Sequence, residues 1–162
     1  MVKNSKTVRK TIPKLTDDVV SEYREWYNKC LLGLKGKRNV LDIGKSLFWD
    51  YSVLFDKYTS IDNSRDAGAD IVEDIFNNSI KSESFDTVLC NGMMESSNGQ
   101  MQRMVDEVYR ILESGGTAIF GMSGENYPHD VIKYDGTDYF TKFKVIKEEN
   151  IRGEYYFKVC KK

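Results

Sequence analysis

The sequence predicts an α/β fold: a doubly wound, mostly parallel Rossmann-like sheet, with helices on both faces and an antiparallel C-terminal strand pair. Three observations predict it. Short apolar runs recur along the chain, and each of the first four stops at an acid, an amide or a glycine. Segments with apolar residues at helical spacing alternate with them. Two further apolar runs close the chain around a turn at Arg152-Gly153.

The elements follow in order. Thr16 opens a helix, with Asp17 and Asp18 in its first turn, where the helix dipole favours acids. Val19, Tyr23, Trp26, Tyr27, Cys30 and Leu31 give it one apolar stripe, and Gly33 and Gly36 end it. Asn39 to Gly44 reads as a buried strand, and Ser46 to Phe55 as the next helix. Tyr58 to Asp62, Ala69 to Asp74 and Phe85 to Cys90 are three more strands. Gln100 to Leu112 is amphipathic, with Met101, Met104, Val105, Val108, Ile111 and Leu112 on one face. Ser114-Gly115-Gly116 stops it, a glycine supplying the left-handed cap. Thr117 to Met122 is the fifth strand, and Phe143 to Lys147 pairs with Tyr155 to Cys160.

Composition narrows the function. The chain has 162 residues, 40% hydrophobic and 30% charged, which suits one soluble domain. A net charge of -1 offers no broad attraction to nucleic acid or an acidic membrane. Lys3, Lys6, Arg9, Lys10 and Lys14 stand without an acid, so residues 1–15 read as a flexible basic terminus before a single domain over 16–162. Cys30, Cys90 and Cys160 are scattered and there is one histidine, which excludes a Cys/His zinc cluster and suits reduced thiols in a cytoplasmic protein. No apolar run is long enough to span a bilayer.

A doubly wound sheet binds its ligand outside the carboxyl ends of the strands. Read there, the chain offers Asp42-Ile43-Gly44, Asp62-Asn63, Asp74-Ile75 and Asn91-Gly92. A carboxylate accepts hydrogen bonds from two ribose hydroxyls, and Asp62 follows Asp42 by twenty residues, the distance at which dinucleotide folds keep a ribose acid. Each acid alone is explained as a turn former; the ordered set points to a nucleoside. G-K-S at Gly44 to Ser46 lacks the upstream glycine of a phosphate loop. The missing G-x-G-x-x-G counts against a nicotinamide cofactor, whose pyrophosphate needs close backbone approach. No G-x-S-x-G elbow is present.

Taken together, V-L-D-I-G, Y-T-S-I-D, A-D-I-V-E-D-I, S-F-D-T-V-L-C-N and V-Y-R-I-L-E-S-G-G-T-A-I-F resemble the small class I S-adenosylmethionine-dependent methyltransferases of the methyltransferase-domain-11 type. The resemblance runs from Val40 to Phe120 and on through Y-P-H-D-V-I-K-Y. It implies S-adenosylmethionine as cofactor and S-adenosylhomocysteine as product. It places Asp42 and Gly44 by the methionine and ribose, Asp62 and Asn63 at the ribose hydroxyls, Asp74 at the adenine amino group, Ile75 at the ring, and Asn91 and Gly92 along the cofactor, with Met93 nearby. The chain departs from the family's D-x-G-x-G-x-G: Lys45, Ser46, Leu47 and Phe48 follow Gly44, so Lys45 and Phe48 intrude or force another path. Methyl transfer needs orientation more than a fixed catalytic group. In the segment after the fifth strand the candidates are His129, as a base near neutral pH or a loop-bracing residue, and Tyr134, which orients a substrate or covers the core edge. The acceptor is a small molecule or a group on a docked macromolecule. The altered first loop leaves a rival open, a non-catalytic binding module on the same fold.

Overall fold

The computed structural model describes residues 19–34, 36–45, 51–94, 97, 99–125 and 134–162. The expected basic terminus, His129, Phe48 and Trp49 lie outside them.

Helix α1 (Val19–Gly33) is followed by β1 (Gly36–Ile43), β2 (Phe55–Asp62), β3 (Ile71–Val72), β4 (Phe85–Asn91), α2 (Met101–Ile111), β5 (Leu112–Ser123), β6 (Lys144–Ile151) and β7 (Tyr155–Lys161). The seven strands form one sheet, in the order β3-β2-β1-β4-β5-β7-β6. The β3 to β5 stretch is parallel; β7 runs antiparallel to both β5 and β6. The chain winds outward from β1 to β3, then crosses back to place β4 beside β1. The switch point therefore lies between β1 and β4.

Alternation along β1 sorts its side chains between two cores. Val40 joins Tyr27, Leu31, Leu89, Ile119 and Phe157 on the α1 face. Leu41 and Ile43 join Met104, Val105, Val108 and Ile111 on the α2 face. The five buried side chains of α2 each contribute roughly 1.5–3 kcal/mol over exposure. Trp26 of α1 stacks on Phe157 at 4.6 Å between ring centres, which ties α1 to the antiparallel strands.

Three expectations needed revision. Within Ser46 to Phe55 the described residues form only a short 3₁₀ turn, Ser52–Leu54, because Tyr51, Leu54 and Phe55 are pulled into the α1-side core. Gly115 has φ 77° but does not cap α2. The helix ends at Ile111, Leu112 is already extended and fully buried opposite Phe85, and Gly115 lies in the irregular stretch before Thr117 rejoins Thr87. The third strand shrinks to Ile71–Val72, since Asp70 is drawn off to accept bonds from Ser60 N–H and Oγ, both at 2.8 Å. The final turn forms where expected: Arg152 and Gly153 both have positive φ, and Glu154 N–H donates to the Ile151 carbonyl at 2.9 Å, the geometry of a tight hairpin.

Candidate cofactor site

A cavity of about 330 Å³ opens beyond the carboxyl ends of β1, β2 and β3, under the N-terminal turn of α2. Ile43 and Ile61 form its floor. Asp62, Asn63, Asp74 and Ile75 line one side, with Glu73 and Phe76. Met93, Ser97, Gln100 and Met104 line the other.

Local chemistry sets the two aspartates. Asp62 Oδ1 accepts the Ser64 N–H at 2.8 Å, and Asp74 Oδ1 accepts the Phe76 N–H at 2.8 Å. Each bond turns the chain at a strand end, as aspartate does in Asx turns. Each bond uses one carboxylate oxygen, and among the described residues none donates to the other. β2 and β3 are neighbours, in register at Asp62 and Val72, so the two acids stand on one rim. Glu73 accepts from Ser79 N–H at 2.7 Å and braces the β3 side.

α2 holds the opposite wall. The Arg103 guanidinium lies 4.6 Å from the centre of the Phe76 ring and donates to the Phe76 carbonyl at 3.0 Å and to Gln100 Oε1 at 2.8 Å. One side chain thereby fixes two cavity residues. Arg110 clamps the loop beyond β3, donating to the Ile80 carbonyl at 2.8 Å while paired with Glu107. Phe76 escaped the sequence reading. It is legible in hindsight as the aromatic two residues past the strand-end acid.

The other four expected positions do not line this cavity. Asp42 is buried on the α1 face, where it accepts the Tyr58 hydroxyl. Burial raises its carboxyl to about 7, against the opposing effects of Tyr58 and Lys45. Gly44 follows β1 with φ 79° and donates its N–H to the Ile61 carbonyl at 2.8 Å. A Cβ added there would stand 2.2 Å from Met93 Sδ, so the thioether lies directly on this glycine. Asn91 rests its side chain on Gly121, where a Cβ would come 2.1 Å from Oδ1. Gly92 has φ 71° and donates to the Gly121 carbonyl at 3.0 Å. Lys45 swings outward and donates to the Gly68 carbonyl at 3.0 Å, so it stays clear of the cavity.

Tyr134 sits elsewhere. It is buried, its N–H donates to the Ser123 carbonyl at 2.8 Å, and its ring meets Tyr156 edge-on at 5.2 Å. Burial pushes its hydroxyl above the ordinary tyrosine value, so it stays protonated near neutrality. With Glu148, Asn150, Tyr156 and Lys158 it lines a second cavity of about 500 Å³ over β6 and β7. Among the described residues no His/Cys/Asp/Glu cluster is arranged to hold a metal ion, and no helix is long and apolar enough to cross a membrane. Cys90 and Cys160 are fully buried thiols.

Comparison with known proteins agrees with this architecture. The family described as "Methyltransferase domain" matches residues 50–120, starting just after the first strand and its turn. No curated protein matches the chain. Among solved structures, the N-methyltransferase NodS from Bradyrhizobium japonicum in complex with S-adenosylhomocysteine superposes with a TM-score of 0.69, at 17% identity over 91% of this chain and 89% of that one. A Sulfolobus solfataricus protein assigned to the type 11 methyltransferases gives 0.64 at 24% identity, over 86% and 91%. The 1,6-didemethyltoxoflavin-N1-methyltransferase from Burkholderia thailandensis, with bound 1,6-didemethyltoxoflavin and S-adenosylhomocysteine, gives 0.62 at 13%, over 93% and 94%. Identities this low establish a shared fold. Residues 50–120 match the methyltransferase-domain family, and the chain shares the Rossmann-like fold of the methyltransferases on which it superposes.

Proposed function

We propose that the chain is an S-adenosylmethionine-dependent methyltransferase that seats the adenosine of its cofactor in the cavity beyond β1 to β3. One observation carries the reading: the carboxylates of Asp62 and Asp74 line the same cavity from the ends of adjacent strands. Their donor-accepting oxygens fit the hydroxyls and amino group of an adenosine, and the apolar side chains of Ile61, Ile75, Phe76 and Met104 fit its faces. The two neighbours with S-adenosylhomocysteine bound support it.

In this reading Asp62 accepts from the ribose hydroxyls, with Asn63 beside it, and Asp74 accepts from the adenine amino group. Ile75 and Phe76 wall the ring, and Arg103 keeps that wall in place. When bound, the cofactor supplies a methyl group already activated by a sulfonium. The protein then has to orient an acceptor and limit water. Tyr134 stays protonated, which suits a hydrogen-bond donor and not a base. The acceptor is a small molecule or a group on a docked macromolecule, and no base is assigned to it.

Ligand stabilisation tests the reading. S-adenosylmethionine and S-adenosylhomocysteine, added separately at millimolar concentration, raise the melting temperature by mass action if they bind the folded state. Asp62→Ala abolishes the shift while leaving the melting temperature of the ligand-free protein within a few degrees. No shift with either ligand overturns the reading in favour of a non-catalytic module on this fold.

A further inference from the structure

Resting on that proposed cofactor, we infer that Met93 is the residue that decides whether the site accepts a bare nucleoside or the full amino-acid-bearing cofactor. The nucleoside part of the cavity stands open between Asp62, Asp74 and Gln100. From a ribose at Asp62 the amino-acid tail has to run toward the switch point, where β1 and β4 end side by side. The ground there is Gly44, and the Met93 thioether covers it: Sδ lies 2.2 Å and Cγ 2.9 Å from where a Cβ would project.

The Met93 backbone is held on both sides. Gly92 is bonded to the Gly121 carbonyl, and Met94 is fully buried with its carbonyl accepting the Ser97 hydroxyl at 2.6 Å. Room for the tail therefore comes from the Met93 side chain, which is only partly buried. Its unbranched chain turns about three bonds and repacks at little cost. A side chain branched at Cβ lacks that freedom. Met93 thus acts as a swinging cover over the first turn. It admits the amino-acid part of the ligand by moving off Gly44.

Calorimetric titration of the full chain with adenosine and, separately, with S-adenosylhomocysteine tests this in wild type, Met93→Ala, Met93→Leu and Met93→Ile. Because Met93 also lines the nucleoside cavity, the adenosine affinity of each protein is the reference against which its S-adenosylhomocysteine affinity is read. Relative to adenosine, S-adenosylhomocysteine is expected to bind several-fold more tightly to Met93→Ala than to wild type, and at least tenfold more weakly to Met93→Ile than to Met93→Leu. The Leu and Ile variants have equal atom counts and differ in branching, so that pair decides the matter if Met93→Ala does not fold. If adenosine binds and S-adenosylhomocysteine affinity follows it through the series, Met93 has no such role and the cofactor reading survives. If neither ligand binds any of the proteins, the cofactor reading falls and this inference falls with it.

Discussion

The rim at the ends of β2 and β3 and the turn at the end of β1 are adjacent, yet they are built on opposite plans. At the rim, Asp62 and Asp74 spend one oxygen each on bending the chain and keep the cavity beside them open. At the turn, Gly44 is filled from within by Met93, Asp42 faces the other side of the sheet against Tyr58, and Lys45 reaches away to Gly68. The glycine that resembles a cofactor-loop residue is thus required twice over by the protein itself, by its positive φ and by the thioether resting on it. A motif glycine can persist for packing while its loop is rewritten. The family match, which begins at residue 50, divides the chain at this same place.

The largest expected effect breaks the turn. Gly44→Ala combines a side chain at φ 79° with an overlap on Met93, and about 3 kcal/mol of stability is expected to be lost in urea unfolding. Pairing it with Met93→Ala sharpens the point: the double variant is expected to recover about 1 kcal/mol relative to the sum of the two singles. Additive losses would mean that the two residues do not press on each other.

The buried acid comes next. Between the ordinary aspartate value and about 7, the folded protein holds a proton on Asp42 that the unfolded chain has lost. Stability from this group therefore falls as pH rises through that window, and the loss is complete above it. Asp42→Asn is expected to flatten the decline between pH 5 and pH 8 by about 2 kcal/mol, read from denaturant midpoints at each pH. An unchanged slope would place the charge of Asp42 in water.

At the rim, Asp74→Asn keeps an oxygen for the Phe76 N–H and is expected to weaken S-adenosylhomocysteine binding by about 1 kcal/mol, roughly fivefold, in the same titration. The smallest effect belongs to the turn's outer edge. Lys45→Met removes an exposed bond to the Gly68 carbonyl, and its stability is expected to stay within about 0.5 kcal/mol of wild type.

How much of this was legible in the sequence follows the range of the forces involved. The strands read well because Val40, Leu41 and Ile43, or Val88, Leu89 and Cys90, are buried as continuous runs, which a parallel sheet covered on both faces demands. The convergence of Asp62, Asn63, Asp74 and Ile75 on one cavity was legible because strand ends in this topology lie along one edge. Tyr51, Leu54 and Phe55 misled because they serve a core contact and do not build a helix. Ser114-Gly115-Gly116 misled because burial of Leu112 against Phe85 ends α2 earlier than the glycines do. The contact of Met93 with Gly44 joins positions far apart in the chain and leaves no local trace.

The central claim is that an adenosine sits between the ends of β2 and β3 and α2. Amide chemical-shift perturbation on adding S-adenosylhomocysteine to isotope-labelled protein tests it most directly. The account predicts the largest shifts at Asn63, Ile75, Phe76 and Gln100, and little change at Tyr156 and Lys158 beside the second cavity. Saturable shifts confined to Tyr134, Tyr156 and Lys158, with the rim unmoved, would contradict it.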